Sequence, residues 1–164
     1  MIKGNFYFLK EEYFQDFPDP YLERNKEYEN GILSGRPFFY AIYNSLTGIY
    51  WMIPISSKVL KYKKIEEKII SKIGKCDTIV FGKVQGSERA FLIQNMCPTT
   101  EEYIDFEYVN KKSGKPNRIQ ESVEKELISK ANSVLARVRK GKKNLIFPDV
   151  LNIEKILIEK TRLK

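Results

Sequence analysis

A chain of 164 residues with 42% hydrophobic and 30% charged residues has the composition of one globular domain, which excludes a disordered or fibrous chain. A formal net charge of +8 points to a polyanionic partner, either nucleic acid or an acidic membrane face, and no run approaches the roughly 20 apolar residues needed to span a bilayer. Histidine is absent altogether, so a Ser-His-Asp triad, a histidine-pair nuclease and a histidine-ligated metal centre are all excluded.

From the N-terminus, NFYFL (Asn5 to Leu9) predicts a short strand, and residues 17–31, broken by Pro18 and Pro20, an irregular connection. PFFYAIY (Pro37 to Tyr43) is aromatic and β-favouring, Asn44 to Gly48 supplies turn residues, and IYWMIPI (Ile49 to Ile55) returns. That is a hairpin, with Pro54 at a strand end or edge. KIEEKIISKIG spaces Ile65, Ile69, Ile70 and Ile73 as a helix does and ends on Gly74, a C-terminal cap. TIVFGKV (Thr78 to Val84), a turn at Gln85-Gly86 and RAFLIQN (Arg89 to Asn95) form a second hairpin. VNKKSGKPNR (Val109 to Arg118) reads as a mobile basic loop. Val123, Leu127, Ala131, Val134, Leu135 and Val138 predict a helix from about Gln120 to Lys140, closed by Gly141. A last helix starts at Val150 behind an Asp149 cap. Hairpins followed by helices make an α+β fold: a compact twisted antiparallel sheet or open barrel with attached helices, one domain over residues 1–164.

The positive excess is uneven. Residues 1–50 carry five Lys and Arg against seven Asp and Glu, residues 51–100 nine against four, and residues 101–164 fifteen against ten. It begins where IYWMIPI runs into Ser56-Ser57 and then Lys58, Lys61, Lys63 and Lys64. Serines at a strand end have rigid backbone behind them and exposed hydroxyls in front, which suits a catalytic site; they equally suit the N-cap of the following helix. Lys61, Lys63, Lys64 and Lys68 beside that point, Lys111, Lys112, Lys115 and Arg118 in the basic loop, and Arg139, Lys140, Lys142 and Lys143 after the long helix are expected to contact phosphates of the polyanion. Solvated lysines that merely keep the protein soluble are the plainer reading. Tyr40, Tyr43 and Trp51 either fill the core or stack on unpaired bases of RNA in a non-catalytic binding module. The carboxylates come as adjacent pairs, Glu11-Glu12, Glu66-Glu67 and Glu101-Glu102, which diverge on any regular element and suggest no metal site. Cys76 and Cys97 are isolated and read as small buried hydrophobes. No signal peptide is apparent, so a cytoplasmic location is expected.

FYFLKEEYF (Phe6 to Phe14), RPFFYAIY (Arg36 to Tyr43), TGIYWMIPISSK (Thr47 to Lys58), KCDTIVFGKVQGSERAFLIQNMCP (Lys75 to Pro98) and FPDVLNIEKIL (Phe147 to Leu157) resemble, in that order, the toxins of type III toxin-antitoxin systems, the ToxN/AbiQ family, and most closely its CptN branch. The resemblance implies a sheet core related to the MazF and Kid toxins. It implies a metal-independent, sequence-specific endoribonuclease without a cofactor, serving phage defence or locus maintenance. The implied antitoxin is a pseudoknot RNA cut from a transcript of tandem repeats, held in a closed assembly of two toxins with two RNAs. Neither DNA nor membrane takes part. A Pro-x-[Ser/Thr]-Ser motif in the family's active site falls on Ser56 and Ser57. A tyrosine soon after the first strand matches Tyr13, and a basic residue entering the second strand matches Arg36. The family's lysine beyond the hydroxyl pair is Val59 here, flanked by Lys58 and Lys61. The implied reaction is attack by the substrate's own 2′-hydroxyl, leaving a 2′,3′-cyclic phosphate and a 5′-hydroxyl.

Overall fold

In the computed structural model, residues 1–27 and 33–164 are described. The chain forms β1 (Phe6–Leu9), α1 (Glu11–Asp16), β2 (Lys26–Glu27), β3 (Leu33–Ser34), β4 (Phe38–Asn44), β5 (Ile49–Ser56), α2 (Val59–Ile73), β6 (Ile79–Val84), β7 (Ser87–Leu92), β8 (Cys97–Thr99), β9 (Ile104–Glu107), α3 (Glu121–Arg139) and α4 (Val150–Arg162). The fold is α+β, as the sequence leads one to expect. Seven strands form an antiparallel sheet in the order β6-β7-β5-β4-β1-β9, with β8 beside β5, and β2 and β3 pair separately.

Both expected hairpins are present. Gln85 and Gly86 link β6 to β7 with φ values of 52° and 78°, as a two-residue type I′ turn requires, and Val84 lies opposite Ser87. Alternation along this hairpin sorts its side chains between two layers. Ile79, Ala90 and Leu92 pack with Tyr62, Ile65 and Ile69 of α2, whereas Val80, Val84 and Phe91 join the main core with Leu127, Ala131 and Val134 of α3. Helices therefore cover both faces of this part of the sheet. The main core is aromatic: Phe6, Phe39 and Phe91 meet at centroid distances of 5.5 to 6.1 Å.

β5 is the strand that positions the site. Its outer edge pairs with β8 at Tyr50, Trp51 and Met52, then with β7 at Ile55 and Ser56. Pro54, which cannot donate to a ladder, falls in the gap between those two partners and so sits inside the strand without breaking it.

Two local features were not anticipated and one expectation changes. The six-residue α1, with no side-chain cap, is held by burying Tyr13 and Phe14 rather than by propensity. β8 and β9 are too short to show a period, and Pro98 argues against a strand until Trp51 is found opposite it. The basic segment from Val109 is a closed turn: Val109 bridges Pro116, and Asn110 Oδ1 accepts the N–H groups of Lys112 and Ser113. Residues 28–31 of the expected irregular connection lie outside the described residues. Tyr40 and Trp51 are core residues, which removes them as stacking surfaces, while Tyr43 is exposed beside Tyr50. Cys76 and Cys97 are free and buried. Among the described residues, no helix is long and apolar enough to cross a membrane.

Candidate active site

The two serines have different fates. Ser56 is the last residue of β5, 6% exposed, and its Oγ accepts the N–H of Lys58 at 3.2 Å, a local turn that feeds the chain into α2. Ser57 is exposed; its carbonyl accepts from Val59 N at 2.9 Å, and its hydroxyl has no hydrogen-bond partner among the described residues. α2 begins without a side-chain cap on its Lys58 N-cap. Ser56 is committed to the turn that precedes α2, and Ser57 presents a free donor at a rigid strand end.

Arg36 converges on the same point. Its Nη1 donates to the carbonyl of Ile55 at 3.0 Å, and its Nη2 pairs with Glu23 Oε2 at 3.1 Å with side chains 12% and 26% exposed. A guanidinium thus lies behind the strand end, bonded to the residue before Ser56. Lys58 and Lys61 are exposed on the first turn of α2, with Lys61 Nζ 5.1 Å from the Tyr62 ring centre.

Tyr62 is a residue the sequence reading missed. It is buried, and its phenol is raised above the ordinary value by desolvation first and by the Glu23 carboxylate next, with Arg36 opposing. It is therefore a neutral hydroxyl in the field of the Arg36-Glu23 pair. The available signal was its place as the aromatic of the lysine-rich KYKK, in phase with Ile65 and Ile69, which also face the sheet.

Tyr13 is not with this group, a correction to the role expected of it. It is fully buried, and its hydroxyl donates to the Pro98 carbonyl at 2.7 Å. Pro98 stands opposite Trp51, five residues along β5 from Ser56, which is about 16 Å. Burial, foremost, lifts its phenol well above the usual range. The residue is core, ringed by Phe14, Phe17 and Tyr103.

The expected RNA-binding cations divide into free and committed. Lys64 and Lys68 are exposed along α2, Lys111, Lys112 and Lys115 on the closed turn, and Lys140, Lys142 and Lys143 after α3. Lys63 pairs with Glu88 at 3.1 Å over the Phe81 ring. Arg118 is bound to Lys3 O, Asn5 Oδ1 and Glu124. Arg139 forks onto both oxygens of buried Glu154 at 2.7 Å and lies 5.6 Å from the Trp51 ring centre. Glu154 holds the guanidinium above its ordinary pKa. The two arginines are intramolecular clasps, because phosphate would have to displace carbonyl, amide-oxygen and carboxylate partners from Arg118 and a bidentate carboxylate from Arg139.

The sequence matches no family model and no curated protein. The fold is similar to that of AbiQ, a lactococcal anti-phage endoribonuclease belonging to the type-III toxin-antitoxin system. The TM-score is 0.68 over 96% of this chain and 98% of that one, at 16% sequence identity.

Proposed function

We propose that the chain, as one domain over residues 1–164, is a metal-independent endoribonuclease of a type III toxin-antitoxin system, with an RNA antitoxin as partner. The fold likeness to an endoribonuclease supports the class. The observation that carries the reaction is the free Ser57 hydroxyl at a strand end, with Arg36 bonded to the Ile55 carbonyl two residues before it and exposed Lys58 and Lys61 following it in the chain. Cutting RNA without a metal or an activated water uses the substrate's own 2′-hydroxyl as nucleophile. The O2′ forms a bond to phosphorus, the P–O5′ bond breaks, O2′ loses a proton and O5′ gains one, giving a 2′,3′-cyclic phosphate and a 5′-hydroxyl. Ser57 donates to a non-bridging oxygen, and Lys58 and Lys61 balance the charge growing on the phosphorane. Arg36 acts as a positioning residue, fixing the strand end and adding positive potential. Neutral Tyr62 is a further donor at the same place.

The finer reading includes a closed complex of two toxins and two pseudoknot RNAs, as in the CptN branch; light scattering that finds one protein per RNA counts against it. Short tandem repeats just upstream of the reading frame would support the antitoxin partner. The deciding test is single-turnover cleavage by wild type and Ser57→Ala with EDTA present. Wild type is expected to cut and leave a cyclic phosphate, a 2′-deoxyribose 5′ of the cut to abolish cleavage, and the variant to bind RNA normally while cutting about a hundredfold more slowly. A fully active Ser57→Ala protein overturns the assignment.

A further inference from the structure

Lys61, Lys64, Lys68 and Lys72 follow at spacings of three, four and four along α2, so they share one side of the helix, and all are exposed. Like charges at that spacing destabilise a helix, and the first turn of α2 carries no acid to relieve them. Glu66 and Glu67 lie on the same helix, and among the described residues neither forms an ion pair with the stripe. A row of this kind is stable when an anion lies along it.

The stripe leads into a cleft of about 540 Å³ between the last turn of α2 and the end of α3, a volume within the ordinary range of small-ligand sites. Ile69, Ile73 and Leu145 form an apolar wall, with Ile73 66% exposed. Lys72, Arg137, Lys142 and Lys143 line the rest. The carboxylate among them, Asp77, is already met by Arg137 at 3.0 Å and by Lys75 at 3.2 Å, which leaves Lys72, Lys142 and Lys143 uncompensated. The backbone that carries Lys142 is held in place. Lys142 N donates to Arg137 O at 3.0 Å and Gly141 N to Val138 O at 3.0 Å, the paired bonds of a Schellman motif, and Gly141 has the required φ of 97°.

An apolar wall beside three clustered cations suits a ligand with a flat, weakly polar body and a phosphate at each end. We infer that this cleft takes one unpaired nucleotide of the bound RNA, its base on Ile69, Ile73 and Leu145 and its phosphates on Lys72, Lys142 and Lys143. It lies about 20 Å from Ser57, the length of α2, with the lysine stripe carrying the backbone between the two points. This rests on the reading of the chain as acting on RNA and adds a second grip distant from the cut.

The test compares a short RNA that reaches only the cut with a longer single strand able to reach the cleft, using wild type, Ile73→Asp and the pair Lys142→Ala with Lys143→Ala. These side chains are solvent-exposed, and thermal unfolding checks that the variants remain folded. Both variants are expected to raise KM for the long RNA about tenfold with kcat unchanged, and to raise KM for the short RNA by a much smaller factor. An unchanged KM for the long RNA overturns the cleft while wild-type cleavage leaves the Ser57 reading intact. Equal losses on both RNAs also overturn it, since the effect would not depend on reach. A free mononucleotide that binds the cleft while the long RNA ignores both variants makes it a small-molecule site and overturns the proposal. Absence of RNA cleavage and binding by wild type overturns the functional reading and the cleft together.

Discussion

The exposed side of α2 and the seam between α3 and α4 are both rich in cations, yet they use them in opposite ways. On α2, Lys61, Lys64, Lys68 and Lys72 stand free in water. In the seam, Arg139 is spent on Glu154, a carboxylate only 8% exposed, and stacks over Trp51. Arginine's planar fork suits a carboxylate held in a fixed place, whereas lysine on a flexible stem stays available to a partner that arrives later. Formal charge in a sequence therefore overstates a binding surface wherever the charge has an internal partner.

The same division separates the hydroxyls, and the largest effect should come from breaking it there. Ser57→Ala should slow cleavage about a hundredfold with little change in stability. Ser56→Ala, which removes the turn to Lys58, should cost about 1 kcal/mol of stability and leave most of the rate of folded protein. Single-turnover cleavage beside thermal unfolding reads both, and interchanged results would reverse the two roles.

At the seam, Arg139→Ala strands a buried carboxylate. The full penalty for breaking a buried pair is discounted because Arg139 is 41% exposed, so about 2 kcal/mol of stability should be lost, read by urea denaturation. RNA affinity should keep its salt dependence. On α2, replacing Lys64 and Lys68 together by alanine should leave stability unchanged or slightly raised and reduce the slope of log affinity against log salt by about 1.4 for single-stranded RNA. Identical slopes for the two sets of variants would erase the distinction between them.

Tyr13→Phe should cost about 1 kcal/mol through the lost bond to Pro98, with cleavage intact; a large loss of rate in stable protein would return Tyr13 to the site. A further effect appears only at high pH. Burial, foremost, pushes the Tyr40 phenol up to about 12, so the folded state keeps a proton that the unfolded chain releases near 10. Stability should fall as pH rises from about 10 to 12, and Tyr40→Phe should flatten that fall in denaturation midpoints.

Much of the fold was legible because its signals are local. Ile65, Ile69 and Ile73 keep helical spacing, Asn44 to Gly48 and Gln85-Gly86 are turn chemistry, and Asp149 caps α4 with its carboxylate accepting from Asn152 N, as its position predicts. β8 escaped notice because three residues cannot display a period and its strand character comes from Trp51. At the candidate site, the strand end and its serine pair could be read directly, since a β-favouring run that stops at two serines needs no tertiary contact to be recognised. Tyr62 carried only a weaker signal, its phase with Ile65 and Ile69, because its burial on a lysine-rich stretch depends on Ala90 and Leu92 of β7.

By itself, then, the sequence determined the hairpins, the helices, the chemistry denied by the absence of histidine, and the meeting of an apolar strand with a positive stretch. Only the tertiary structure decided which of those groups are free. Tyr13 is bound by a carbonyl 85 residues away, Arg36 by one 19 residues away and Arg118 by an amide oxygen 113 residues away. Hydrogen bonding and burial are set by neighbours in space, and a side chain satisfied by a distant partner is indistinguishable in the sequence from one left waiting for a ligand.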